Sequence, residues 1–215
     1  MKSTLIVTSS NRHMEQPTLD AIDAMKRHGA YHVRQTATAD VAFARCHALT
    51  MACNAIREVA KNHVLDVVLM VDDDMEFTLE SASALVQFAR EKKRPASALY
   101  VGINRRACAC RWKLDGEGKQ LYLVGLGLLA IPVPLLFDVE QVSPRFKFGT
   151  AEGEKMGELV EFCTSGNREG LWLSEDFSLC ERLGGVYLPG VEAGHRKTFS
   201  IWPSATTLEE LRNVG

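Results

Sequence analysis

What this sequence lacks narrows its class before any motif is read. It has almost no charge excess: 25 basic and 27 acidic residues leave a net charge of −2. Only a local basic patch could therefore draw it to nucleic acid or anionic lipid. None of its 6 cysteines (Cys46, Cys53, Cys108, Cys110, Cys163, Cys180) stands in a C-x-x-C pair. Spread through apolar stretches, they argue against a disulfide miniprotein and predict reduced thiols in a cytoplasm. The longest apolar stretch, Leu121–Phe137, is interrupted by glycines and prolines; it reads as strand and turn and predicts no transmembrane segment. The short apolar run after Met1-Lys2 soon turns polar and is too brief for a signal-peptide core. The chain also lacks G-x-x-x-x-G-K-[ST], G-x-S-x-G and H-E-x-x-H, which weakens P-loop, α/β-hydrolase and zincin readings. No internal repeat or low-complexity tract is present.

What is present suits a globular α/β chain. With 215 residues, 46% of them apolar and 24% charged, the length fits one domain with a real hydrophobic core. Ser3–Thr8 reads as a first buried strand. A helix from about Pro17 to His28 follows, with proline early and Gly29 as the stop. Tyr31–Gln35 suggests a second strand. Asp40 is placed to cap a long helix reaching about Asn62.

Val67–Val71 (VVLMV) is continuous and rich in β-branched residues, as expected of a parallel strand buried on both faces. A helix over about Leu79–Lys92 and a strand around Ala96–Val101 continue the alternation, which predicts βαβ units and a mostly parallel sheet. Arg111–Leu114 and Gln120–Val124 read as a hairpin about DGEG, and Leu126–Ile131 as another strand. Residues 143–170 read as loop. Ser174–Leu183 reads as a helix stopped by Gly184-Gly185, Val186–Leu188 as a short strand, and the last dozen residues as a weak helix or tail.

Three features could carry chemistry. Asp72-Asp73-Asp74 ends the buried strand, where ligands bind in open parallel sheets. On extended backbone Asp72 and Asp74 would share one side, two carboxylates suited to Mg²⁺ or Mn²⁺ with positions left for water and phosphate. The plain alternative is a solvated acidic turn. Ser174-Glu175-Asp176 opens a helix, where a serine cap and early acids also serve the helix itself; as function, a carboxylate there could be a general base. Gly194-His195-Arg196-Lys197 offers an imidazole ligand and cations that could neutralise a diphosphate, or merely a surface histidine.

Taken together and in order, these features resemble the GT-A class of nucleotide-sugar-dependent glycosyltransferases. The matching segments are VVLMVDDDMEF at 67–77, LVGLGLLAIP at 123–132, SEDFSLCERLGGVYLP at 174–189 and GVEAGHRKTF at 190–199. The resemblance spans roughly residues 3–199 and implies a single GT-A domain, Rossmann-like, over residues 1–203 with a tail at 204–215. It implies a metal ion, Mn²⁺ or Mg²⁺, held by Asp72, Asp74 and His195. It implies a nucleotide diphosphate sugar contacted by Thr8, Ser9, Asn11, Arg45, Asp72, Asp73, Gly127, Arg196 and Lys197. Asp176 would be the base of an inverting enzyme, with Glu175 supporting it or binding acceptor. Relatives commonly read Ala-Arg-Asn where this chain reads Ala-Arg-Cys around Arg45.

The small stand-alone form resembles phage-type enzymes, some of which glycosylate hydroxymethylpyrimidines in DNA. On that reading Trp172, Arg105, Arg106 and Arg111 would contact acceptor. Lys113, Arg145 and Lys147 would join those arginines on the DNA backbone, with strong salt dependence. A saccharide or other small acceptor is the alternative. A nucleotidyltransferase would share the carboxylate–metal logic but would more often carry a glycine-rich loop after its first strand, here SSNRHMEQP. A non-catalytic nucleotide-binding module is the third reading. Gly125-Leu126-Gly127-Leu128-Leu129-Ala130 fits G-x-G-x-x-A formally, but Pro132 and Pro134 oppose a helix there. Cys108-x-Cys110 without a second pair reads as free thiols.

Overall fold

Alternate apolar residues of the central strands point to opposite helical layers, and this two-sided burial organises the molecule. The computed structural model describes residues 1–201 apart from 2, 11–13, 37–39, 60–62, 103–105, 149–156, 169 and 197–199, with backbone alone for Ser10, Thr36, Arg168, Leu171, Ser200 and Ile201. The tail expected at 204–215 lies outside the described residues.

In chain order the first half runs β1 (Thr4–Ser10), α1 (Gln16–Arg27), β2 (Tyr31–Thr36), α2 (Val41–Val59), β3 (Val67–Asp72), β4 (Met75–Glu76), α3 (Leu79–Lys92) and β5 (Ala96–Ser97). The second half runs β6 (Ala109–Leu114), β7 (Gln120–Val124), β8 (Leu128–Pro132), α4 (Val133–Val142), β9 (Arg145–Phe148), β10 (Gly157–Val160), β11 (Gly166–Arg168), β12 (Leu171–Leu173), α5 (Glu175–Arg182), β13 (Gly194–Arg196) and β14 (Ser200–Ile201).

The central sheet has the order β2-β1-β3-β8-β5. β1 pairs in parallel with both β2 and β3, while β8 runs antiparallel to β3 and β5. The sheet is thus mixed, with β8 alone reversed. Leu5, Val7, Val68 and Met70 face the layer containing Leu49, Ala52 and Cys53 of α2. Ile6, Val67, Leu69 and Val71 face Ile22 and Met25 of α1 and Leu85 of α3. The strand order reverses between β2 and β3 on either side of β1, which creates a switch point at the carboxyl ends of β1 and β3. There Ser9 lies in register with Asp72.

Local signals explain most boundaries. Asp40 accepts the Phe43 N–H at 2.7 Å, closing the first turn of α2. The Ser174 hydroxyl accepts from Phe177 N–H at 3.4 Å at the start of α5, and Gly184 and Gly185 adopt φ of 81° and 100° to end it.

Three expectations change. β1 extends to Ser10, so Thr8 and Ser9 are strand residues; the hydrogen-bonded register with β2 and β3 carries the extended conformation past Thr8. In place of the expected turn after β8 stands α4, with Pro132 as its N-cap and Pro134 in its first turn, where a missing N–H costs no intrahelical bond. Residues 143–170 contain the paired strands β9–β10 and β11, not continuous loop.

Leu69 is fully buried in the centre of β3. Leu69→Ala should cost about 2–5 kcal/mol in urea unfolding at unchanged m-value. A loss of about 0.5 kcal/mol or less, the range of surface substitutions, would contradict this packing.

Candidate functional site

The acidic triplet divides its work because the strand stops within it. Asp72 is the last residue of β3, and Asp73 and Asp74 form the turn into β4. Alternation along an extended strand therefore does not continue, and the expected pairing of Asp72 with Asp74 on one side is replaced by separate partners. Asp72 turns to α2, where Arg45 Nη2 donates to its Oδ2 at 2.9 Å. The backbone carbonyl of Asp73 accepts from Glu15 N–H at 2.8 Å and from the Thr18 hydroxyl at 3.2 Å, tying the turn to the start of α1. Asp74 Oδ2 lies 3.2 Å from His195 Nε2.

Arg45 is the centre of the arrangement. It is 4% exposed, and its Nη1 reaches Glu175 Oε1 at 3.4 Å and makes a short contact with Asp176 Oδ1. One guanidinium thus binds the end of β3 and the first turn of α5, segments remote in sequence. Burial is the largest single effect and opposes its charge, but the Asp72 carboxylate and smaller contributions from Cys163 and Tyr100 together hold the guanidinium pKa above its ordinary value. Each of the three carboxylates keeps about a quarter of its side chain exposed (24%, 26% and 22%), so the cluster opens to solvent on their side. Ser165 Oγ donates to Glu175 Oε2 at 3.3 Å and orients the second oxygen of that acid.

His195 reaches Asp74 through a small antiparallel sheet. β13 pairs with β4, setting His195 opposite Met75 and Gly194 opposite Glu76. The Arg196 N–H donates to the Asp74 carbonyl at 2.7 Å. His195 Nδ1 is buried and makes no hydrogen bond among the described residues. Asp74 and His195 form a pair that could hold a metal. Two donors 3.2 Å apart match neighbouring positions on an octahedral ion, about 3 Å apart for bonds of about 2.1 Å. Among the described residues no group of three His, Cys, Asp or Glu side chains is placed to hold a metal ion together; Asp72 is turned to Arg45 instead.

The remaining expected residues fall in several places. Thr8 is fully buried, its hydroxyl 3.0 Å from His32 Nε2, and burial lowers the pKa of that imidazole. Ser9 is half-buried at the switch point beside Asp72. Gly127 is enclosed: its N–H donates to Tyr100 Oη at 3.1 Å and its carbonyl accepts from Asp72 N–H at 2.9 Å. A Cβ there would lie 2.6 Å from Met75 Sδ, so close packing accounts for this glycine.

Arg196 Nε lies 3.7 Å from Glu15. Trp172 is 74% exposed on β12, close in sequence to Glu175. Arg106 is exposed, and Arg111 is half-buried in β6 opposite Tyr122. Asn11, Arg105 and Lys197 lie outside the described residues. Of the further cations expected on a DNA backbone, Lys113 Nζ sits 3.9 Å over the Trp112 ring. Arg145 is engaged by Glu140 at 3.2 Å and Glu158 at 3.5 Å, while Lys147 is exposed on β9.

Sequence reasoning missed Tyr100. It is buried under Gly127 with its ring against His195, and no motif spacing marks it. A cavity of about 310 Å³ lies elsewhere, lined by Phe88, Lys92, Arg94, Asp115 and Tyr187. Tyr187 bridges to Ala96 of β5, the edge strand of the central sheet, which places this cavity beside that edge.

No family model and no curated protein matches the chain. Among solved structures, A197 from STIV aligns with a TM-score of 0.56 at 16% identity, covering 95% of each chain; the two share a fold. A glucose-1-phosphate thymidylyltransferase from Bacillus anthracis, solved with sucrose, aligns at a TM-score of 0.41 and 12% identity over 98% of this chain and 76% of that one. A mutant UDP-glucose pyrophosphorylase from Leishmania major aligns at a TM-score of 0.38 and 7% identity over 86% of this chain and 61% of that one. Among the described residues no helix is long and apolar enough to cross a membrane.

Removing the central cation should leave three carboxylates without a counter-charge. Arg45→Ala should destabilise the fold by about 3 kcal/mol, the low end for breaking a buried pair because the acids keep some solvent. Arg45→Lys should recover only part of this, since one ammonium cannot span acids on two segments with a rigid fork. Urea unfolding at pH 7 measures both; an alanine variant as stable as wild type would contradict the role of Arg45.

Proposed function

We propose that this chain is a metal-dependent glycosyltransferase that moves a sugar from a nucleotide diphosphate donor to a hydroxyl acceptor. The observation that carries the reading is the Arg45 cluster. It draws the end of the D-x-D strand (Asp72) and the Glu175-Asp176 pair onto one guanidinium, with Asp74 and His195 paired beside it. Donor-binding and proton-accepting groups would then work on one small volume at the switch point, where ligands bind in such sheets.

The charge balance supports a cation. Around Arg45 one positive charge meets three carboxylates, and Asp74 adds another acid next in the turn. Asp74 Oδ2 and His195 Nε2 would hold the divalent ion, leaving other positions to water and phosphate as Mg²⁺ and Mn²⁺ prefer. Such an ion would stabilise charge on the departing nucleoside diphosphate. Ser9 and Asp72 would face the nucleoside.

Arg45 engages Oδ1 of Asp176, so Oδ2 is the oxygen offered to the acceptor. In the transfer, the bond from the sugar carbon to the diphosphate breaks and a bond to the acceptor oxygen forms. The acceptor proton passes to Asp176. Glu175, held by Arg45 and Ser165, would orient the acceptor, with exposed Trp172 as a stacking surface for it. By the resemblance to phage-type enzymes, a hydroxymethylpyrimidine in DNA is one candidate acceptor.

The test is calorimetry of UDP-, GDP-, CMP- and dTDP-sugars with and without Mn²⁺, followed by product analysis. One nucleotide sugar should bind only with metal. Asp74→Ala should abolish that binding, and Asp176→Asn should retain it while lowering transfer by about 10²–10⁴-fold, the usual contribution of a general base. Both variants at wild-type activity would overturn the assignment. Release of pyrophosphate from a nucleoside triphosphate and sugar phosphate would identify a nucleotidyltransferase instead. A DNA acceptor would show affinity falling steeply with salt, and a salt-insensitive one would exclude it.

A further inference from the structure

Tyr100 belongs to no motif, yet it links the strand that ends in Asp72 to the imidazole that meets Asp74. It is 6% exposed. Its Oη accepts from Gly127 N–H at 3.1 Å, and the Gly127 carbonyl in turn receives the Asp72 N–H. Its ring meets the His195 imidazole edge-on, with centroids 5.5 Å apart and planes at 66°. The space for this ring is made by two glycines. A Cβ at Gly127 would lie 2.9 Å from Tyr100 Cζ, and one at Gly125 would overlap Tyr100 Oη.

The imidazole needs such a support. A metal-binding histidine is usually oriented by a hydrogen bond on its other ring nitrogen. Here Nδ1 is buried without a hydrogen bond among the described residues, so that means of orientation is absent among them. Asp74 at Nε2 fixes one atom of the ring, and its tilt about that contact is set by what packs on its faces. The Tyr100 ring is the aromatic group in that place.

We propose that Tyr100 is a positioning residue: its ring sets the tilt of His195 so that Nε2 and Asp74 face one cation, and Gly125 and Gly127 are glycines because the ring fills their side-chain space. The inference rests on the reading of Asp74 and His195 as a cation-holding pair. It accounts by packing for the two glycines of the β7–β8 connection.

Tyr100→Leu removes ring and hydroxyl; Tyr100→Phe removes the hydroxyl alone. Two measurements separate them: calorimetry with Mn²⁺ alone, and long-range ¹H–¹⁵N spectra of the metal-free protein, with His195 assigned by His195→Gln. The leucine variant should lose Mn²⁺ affinity by about 10–100-fold, the size typical for removing a group that orients a metal-bound histidine, and its Nε2 signal should move. Phenylalanine should restore both. A folded leucine variant with wild-type Mn²⁺ affinity and an unmoved Nε2 signal would overturn the proposal.

If leucine prevents folding, Tyr100→Phe and Gly127→Ala decide. Retention in the first with loss in the second supports the wedge, and equal behaviour overturns it. A wild-type protein that bound no Mn²⁺ would overturn the cation reading itself, while the metal-free imidazole signals would still test the role of Tyr100.

Discussion

A single buried guanidinium holds the candidate site together. Arg45 lies on α2, yet its partners are the last residue of β3 and the first turn of α5. A buried charge is tolerated only when it is paired and hydrogen-bonded, so the fold must keep all three elements in register around it. The acids must also stay close to solvent, because three carboxylates on one guanidinium leave negative charge that a dry interior could not bear. The site is therefore set where the core ends: helix packing buries the cation, and the open switch point hydrates the anions.

The rest of the arrangement follows from where β3 stops. The strand is buried on both faces as far as Val71, and its extended geometry ends at Asp72. The turn then sends three consecutive aspartates in three directions: one to Arg45, one through its carbonyl to α1, one to His195. β4, only two residues long, gives the chain an edge on which β13 returns. That edge brings His195 to Asp74 across 121 residues of sequence. Tyr100 and the two glycines of the β7–β8 connection fill the space behind it. Local backbone events of a few residues thus place groups that sequence separation would otherwise scatter.

Much of the fold is legible in the sequence because its signals are local. VVLMV fits only a strand buried on both faces, Asp40 and Ser174 are natural helix caps, and Gly184-Gly185 is a natural stop; the structure has each of these. α4 is hidden because proline signals a breaker in most positions, whereas in the first turn it starts a helix. β9 and β10 are hidden because a four-residue strand carries too little periodicity to separate from loop. At the site, Asp74 and His195 are marked together in the sequence and the structure brings them together; Arg45, Glu175 and Asp176 are each marked, but for separate roles, and their meeting is seen only in the structure. The pairing of Asp72 with Arg45 rather than with Asp74 is not legible, since it depends on where hydrogen bonding to β1 and β8 ends. Tyr100 is not legible at all: a buried aromatic residue looks like core until its ring is seen against an imidazole.

The most direct test of this account is a crystal structure grown with Mn²⁺ and the nucleotide that binds, read through the anomalous signal of manganese. The account predicts one strong peak coordinated by Asp74 and His195, with the diphosphate on that ion, the nucleoside beside Asp72, and Arg45 still bound to Asp176. Manganese bound away from that pair, or a nucleotide seated against Tyr187 beside the β5 edge, would contradict it.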